Sequence, residues 1–139
     1  MRRATYALLV TCLLLAAATA GCSKSDDEKA EDCVSALTER TGSDSADTPT
    51  VGEAEERVDA LDKTLAGIVR SGYAGVAKDA ADAVEKKTKE GGKSRPEACE
   101  PLPKDDYNAL LMASAIGGLG WTGAGEEFDK LKMVEGLDG

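Results

Sequence analysis

One stretch limits the fold more than any other. Val51, Ala54, Val58, Leu61, Leu65 and Ile68 recur at steps of 3, 4, 3, 4 and 3. An apolar stripe at that spacing lies along one face of an α-helix. Thr50 followed by Glu53 has the spacing of a capping box, which marks the start of the helix. The opposite face carries Glu53, Glu55, Glu56, Arg57, Asp59, Asp62 and Lys63. Fewer than three heptads is short for a self-standing coiled coil, so this helix is read as the central packing element of a bundle. A helix that binds a partner is the functional alternative.

The rest of the chain repeats the pattern. Ser25 and Glu28 form a second capping-box pair, followed by Ala30, Cys33, Val34 and Leu37 at helical intervals and a stop at Thr41-Gly42. The segment from Gly42 to Pro49 is a loop by composition. Its Asp44 and Asp47 lack the spacing, the glycine and the final glutamate of a calcium loop, so it is read as solvated. Ser71-Gly72 and Gly75 interrupt the next stretch, leaving 51–90 as one kinked helix or two. Tyr73, Ala77, Ala80 and Val84 then continue at helical steps to Gly91-Gly92. A proline-marked loop containing Cys99 leads to a fourth helix on Tyr107, Leu110, Leu111 and Ser114. Phe128, Leu131 and Val134 predict a final short helix starting near Thr122 and Glu126 and ending at Gly136. No stretch after residue 21 alternates as a strand would. The expected fold is all-α: a small bundle of about four to five helices.

The N-terminus has a different character. Arg2 and Arg3 precede an apolar run from Tyr6 to Ala18. That is the pattern of a secretory signal, and about 13 apolar residues fall short of the roughly 20 a membrane span needs. A twin-arginine signal fits Thr5 and Tyr6 poorly. Ala20-Gly21-Cys22 is similar to the lipobox of bacterial lipoproteins, in which small residues precede a cysteine that is lipidated on sulfur and becomes the new N-terminus. The resemblance covers the first 22 residues. It implies a signal peptide at 1–21, a lipidated tether at 22–27, a helical domain at 28–139, and a chain anchored in the cell membrane on its extracytoplasmic face. Two acyl chains hold a protein stably where one holds it only marginally. In composition the whole chain also resembles small cell-envelope lipoproteins of actinobacteria.

Charge and cysteines narrow the reading. The chain carries 17 basic and 26 acidic residues and no histidine. Without Arg2 and Arg3 it keeps 15 basic residues, a formal charge of −11. Such a balance excludes the electrostatic footprint of a nucleic-acid binder and repels anionic head groups, so the lipid on Cys22 must do the membrane work. A basic partner or cationic ligand is compatible with it; the plainer reading is that it keeps the domain soluble and monomeric. The missing histidine removes histidine-based nucleophilic catalysis, general acid–base work and metal ligation together. Of four cysteines, Cys12 leaves with the signal and Cys22 takes the lipid. Cys33 and Cys99 remain as a pair in an exported protein and are expected to form one disulfide. A two-cysteine metal site lacks CxxC spacing.

Two motifs match in form only. Gly92-Lys93-Ser94 resembles the tail of a phosphate-binding loop, but position 87 is Lys where a glycine is needed. Gly118, Gly120 and Gly123 fit GxGxxG, but that fingerprint needs a strand before it and a βαβ unit around it. The glycine turn is read instead as carrying Trp121 into the core, or presenting it to a ligand; Trp121 and Tyr107 are the candidate binding residues. No cofactor or metal is expected. The functional expectation is a non-enzymatic envelope lipoprotein that binds a protein partner, with a small-molecule or ion-binding module as the alternative.

Overall fold

The computed structural model describes residues 24–139. The segment read as a signal, 1–21, and Cys22, read as the lipidated residue, lie outside the described residues. Five α-helices follow in order: α1 (Asp26–Thr41), α2 (Val51–Arg70), α3 (Ala74–Gly91), α4 (Lys104–Gly118) and α5 (Lys130–Leu137), with a 3-10 turn at Glu97–Cys99 before α4. The fold is an all-α bundle, as expected. Among the described residues the extended pairing is one isolated bridge, Thr122 with Phe128.

The helix starts follow the caps. Ser25 accepts from the Glu28 amide while Glu28 accepts from the Ser25 amide, and Thr50 and Glu53 do the same for α2. Two orphan amides are thereby satisfied at each start. The first cap places α1 inside the segment read as tether: the helical domain begins at Asp26, not at 28. Between α2 and α3 the chain makes a turn at Ser71-Gly72, with Gly72 at φ +89°, so 51–90 is two helices. The last helix departs from expectation. It starts at Lys130, capped by Asp129, because residues 122–128 are held in a turn by the Gly123 amide donating to Glu127 O at 2.8 Å. It ends at Leu137, one residue beyond Gly136.

The central helix is α4, not α2. It packs against α1, α2 and α3 together. Tyr107, Leu110, Leu111, Ala113, Ser114, Ala115 and Ile116 are all buried, so α4 is covered on nearly every side. A helix covered all round shows no amphipathic stripe. In α2 the stripe is buried at Ala54 and Leu61 but only half-buried at Val51, Val58, Leu65 and Ile68. The core has two parts. One gathers Cys33, Val34, Leu37, Ala54, Tyr107 and Leu110 around α1, where the Cys33–Cys99 disulfide ties α1 to the 3-10 turn. The other gathers Leu61, Ala80, Val84, Ile116, Trp121 and Met133.

Close approach sets the junctions. A Cβ at Gly118 would lie 2.1 Å from Thr41 O, so only glycine lets the end of α4 meet the end of α1.

Candidate functional site

The two residues proposed from sequence for binding are both inside. Trp121 is 3 % exposed and packs in the second core; a Cβ at Gly136 would lie 2.9 Å from its Nε1, so α5 lies directly against the indole. Tyr107 is buried in the first core, with the Arg95 guanidinium 4.6 Å from its ring centre. Arg95 also donates to Cys99 O and Leu102 O, which holds the cysteine-bearing loop in place. Neither aromatic residue lines the cleft beside α2 or the apolar depression between α2 and α3. The Gly118–Gly123 pattern is a turn, with Gly120 at φ +76°, and serves to deliver Trp121.

The structure instead opens a cleft of about 350 Å³ between the first half of α2 and the 122–128 turn. Its lining includes Glu53, Glu56, Arg57 and Ala60 from α2, with Glu126, Glu127 and Phe128 from the turn. The capping box fixes where α2 begins and so places Glu53 in its first turn and Glu56 in its second. Glu53 accepts from the Thr50 amide at 2.8 Å and from the Thr50 hydroxyl at 2.9 Å. The amide bond holds its carboxyl below the usual glutamate range. On the other wall, Glu126 has φ +65°, the one non-glycine residue in the left-handed region among those described. The Glu127 carboxylate lies over Gly123 and Gly125, where a Cβ would come within 2.6 and 2.5 Å of it.

Arg57 is the main correction to the sequence reading. It was placed with the charged, solvent-facing residues of α2, yet its side chain is 2 % exposed. Its two terminal nitrogens donate to Asp47 at 2.8 and 2.9 Å, and one also donates to Ala113 O at 3.1 Å. Asp47 also accepts from the Ser43 hydroxyl at 2.8 Å. The loop read as solvated is therefore buried at Asp47 and at Pro49. Asp47 pairs with Arg57, which leaves the cleft without a free cationic head group of its own. Other carboxylates pair with lysines, as in Asp59–Lys63, Asp82–Lys78 and Glu85–Lys89. No ion pair reaches Glu53, Glu56, Glu126 or Glu127 among the described residues.

Chemically, the cleft can attract a cation. The described residues hold no group of three or more His, Cys, Asp or Glu side chains arranged for a metal ion. Carboxylates spread over two walls suit an ammonium or guanidinium group instead. A second depression, about 400 Å³ and largely apolar, lies between α2 and α3 over Leu65, Val84 and Met112; at its edge the Thr88 hydroxyl has no hydrogen-bond partner. At the far end of this helix pair Val69, Tyr73 and Val76 are exposed, Tyr73 by 65 %. Around them, from Lys63 to Lys78, the sequence has no acidic residue.

Sequence reasoning did not find the cleft, because its walls come from segments about 70 residues apart. The one local signal was the alternation of Glu53 and Glu56 with no basic residue between them. Comparison with protein-family models, with curated proteins and with solved structures finds no match to the chain.

Proposed function

We propose that this protein is a lipid-anchored envelope lipoprotein that works without catalysis, by holding a basic segment of a partner in the cleft beside α2. The observation that carries the reading is the cleft itself: concave, formed by the capped start of α2 and the 122–128 turn, and lined by four glutamates that form no ion pair among the described residues. A chain with no histidine and this placement of acids is suited to binding rather than turnover. The anchoring half of the proposal rests on the lipobox-like Ala20-Gly21-Cys22, with a diacylglyceryl group on Cys22 and the domain on the extracytoplasmic face. No described helix is long and apolar enough to cross a membrane.

The apolar depression between α2 and α3, with the Thr88 hydroxyl at its edge, favours a second reading: a small-molecule module whose ligand is largely apolar and accepts or donates one hydrogen bond.

In-cell cross-linking followed by pull-down and mass spectrometry tests the first reading. The wild type is compared with Cys22→Ala and with Glu56→Gln/Glu126→Gln/Glu127→Gln. A partner captured by the anchored wild type and lost in the cleft variant supports it. Capture that is indifferent to the cleft glutamates overturns it and moves attention to the apolar depression.

A further inference from the structure

One side of α2 has a pattern that its packing within the chain does not explain. Glu53, Glu56, Ala60, Lys63, Gly67 and Arg70 follow one another at steps of 3, 4, 3, 4 and 3, so they form a second stripe along the helix. The four charged members are exposed and the two small ones half-buried. Acids stand at the start of the stripe and bases at its end. Lys63 is shared with Asp59, whereas Arg70 pairs with no carboxylate among the described residues. Gly67 sits inside the helix, where glycine costs about 1 kcal/mol relative to alanine. Nothing lies within 4 Å of where its Cβ would be, so no neighbour within the chain demands it.

We infer that a second copy of this chain covers the stripe, with the two α2 helices antiparallel about a two-fold axis near Leu61–Asp62. Such a contact is isologous: each stripe meets its own reverse. Turning the stripe end over end sets Arg70 of one copy opposite Glu53 and next to Glu56 of the other. It sets Gly67 opposite Glu56, and Ala60 opposite Lys63. The rise of a helix puts Glu53 and Arg70 about 26 Å apart, so both ends engage together only when the register is correct. The exposed Tyr73 at the tip is carried with Arg70 to the partner's cleft, where four glutamates wait without cations. The inference rests on the proposed reading of the cleft as a cation site and names its occupant: the α2–α3 tip of another copy. Confinement to a membrane raises the effective concentration of anchored copies, which favours even a weak contact.

The test uses the full chain in the membrane of cells expressing it. Ala60→Cys places a thiol near the two-fold axis, and a short bismaleimide records proximity as a covalent dimer; Lys86→Cys, exposed on α3, is the control for random collisions. Adding Arg70→Glu or Glu56→Arg to A60C should reduce the dimer about tenfold each, a loss equivalent to about 1.4 kcal/mol. Co-expressing the two should restore it, since E56R supplies arginine at both ends and R70E supplies glutamate at both. Restoration also shows that each variant folds. Dimer from A60C no greater than from K86C, or insensitivity to the charge changes, or failure of co-expression to restore it, overturns the inference. A fluorescein-labelled tetralysine peptide separates this from the underlying reading. If the peptide binds and is displaced by cleft substitutions while no dimer forms, the cleft binds cations but not its own tip. If neither occurs, both fail.

Discussion

Asp47 and Arg57 meet through two hydrogen bonds of 2.8 and 2.9 Å with side chains 5 % and 2 % exposed, and this pair joins the α1–α2 loop, α2 and the Ala113 carbonyl of α4. Its bidentate geometry is the strong form of a charged hydrogen bond. The pair also fixes the floor of the cleft. Breaking one partner leaves a buried charge uncompensated. Asp47→Ala is therefore expected to destabilise the fold by about 3–5 kcal/mol, whereas Asp47→Leu with Arg57→Met recovers most of the loss. Urea unfolding of the three chains checks this; equal losses in the single and double variants would refute it.

The Cys33–Cys99 disulfide closes a separation of 66 residues. Both sulfurs are buried in the first core, where α1 meets the 3-10 turn. Restricting the unfolded chain over that length is worth on the order of 4 kcal/mol. The midpoint of denaturant unfolding should fall accordingly when reductant is present or in Cys33→Ala/Cys99→Ala. Ala30, Leu37 and Tyr107 lie in the same core, so their region should lose amide-exchange protection first.

Two glycines in helices should respond in opposite directions. At Gly118 a Cβ would strike the Thr41 carbonyl at 2.1 Å, and backbone cannot move aside cheaply. Gly118→Ala should destabilise by about 1–3 kcal/mol despite alanine's better helix propensity. At Gly67 nothing lies within 4 Å, so Gly67→Ala should stabilise the dilute monomer by about 1 kcal/mol. Thermal melts at low concentration decide both signs.

Glu53 ties cleft electrostatics to helix capping. Its folded-state pKa is depressed, chiefly by the Thr50 amide and then by the Thr50 hydroxyl. A depressed pKa means stability that is present above the unfolded-state value and lost as pH falls through the folded one. The difference in stability between wild type and Glu53→Ala should thus hold steady near neutrality. It should shrink as pH drops below about 4.3, the ordinary glutamate value. Unfolding curves at stepped pH measure it; a gap that widens in acid would contradict the capping assignment.

Much of the fold was legible because its signals are local. Both capping boxes formed where their Ser/Thr-x-x-Glu spacing put them, and the apolar stripes of α1 and α3 face the core at Cys33, Leu37, Ala77 and Val84. The disulfide followed from the two cysteines left in the bundle. The site was less legible. Arg57 and Asp47 read as ordinary surface charges, since each becomes a core residue only by finding the other across a ten-residue separation. Phe128 read as helical because its spacing to Leu131 is 3, yet the turn closed by Gly123 and Glu127 claims it first. The sequence leaves Trp121 between core and contact surface, and offers Tyr107 with it as a candidate binding residue. Packing against Arg95 and Gly136 takes both out of reach.

What the sequence determined by itself is therefore the helical class, the two helix starts marked by capping boxes and the pairing of Cys33 with Cys99, all of which depend on periodicity, caps or counting. The tertiary structure decided which helix is central, which charges are buried and where the acidic cleft opens. Those outcomes depend on which distant segments share space: α4 becomes the core because three helices close around it, and Glu126 becomes a wall of the cleft because the turn carrying it folds back over α2. Residue type sets what a side chain can do, but burial and neighbours set what it does, and a linear pattern carries neither.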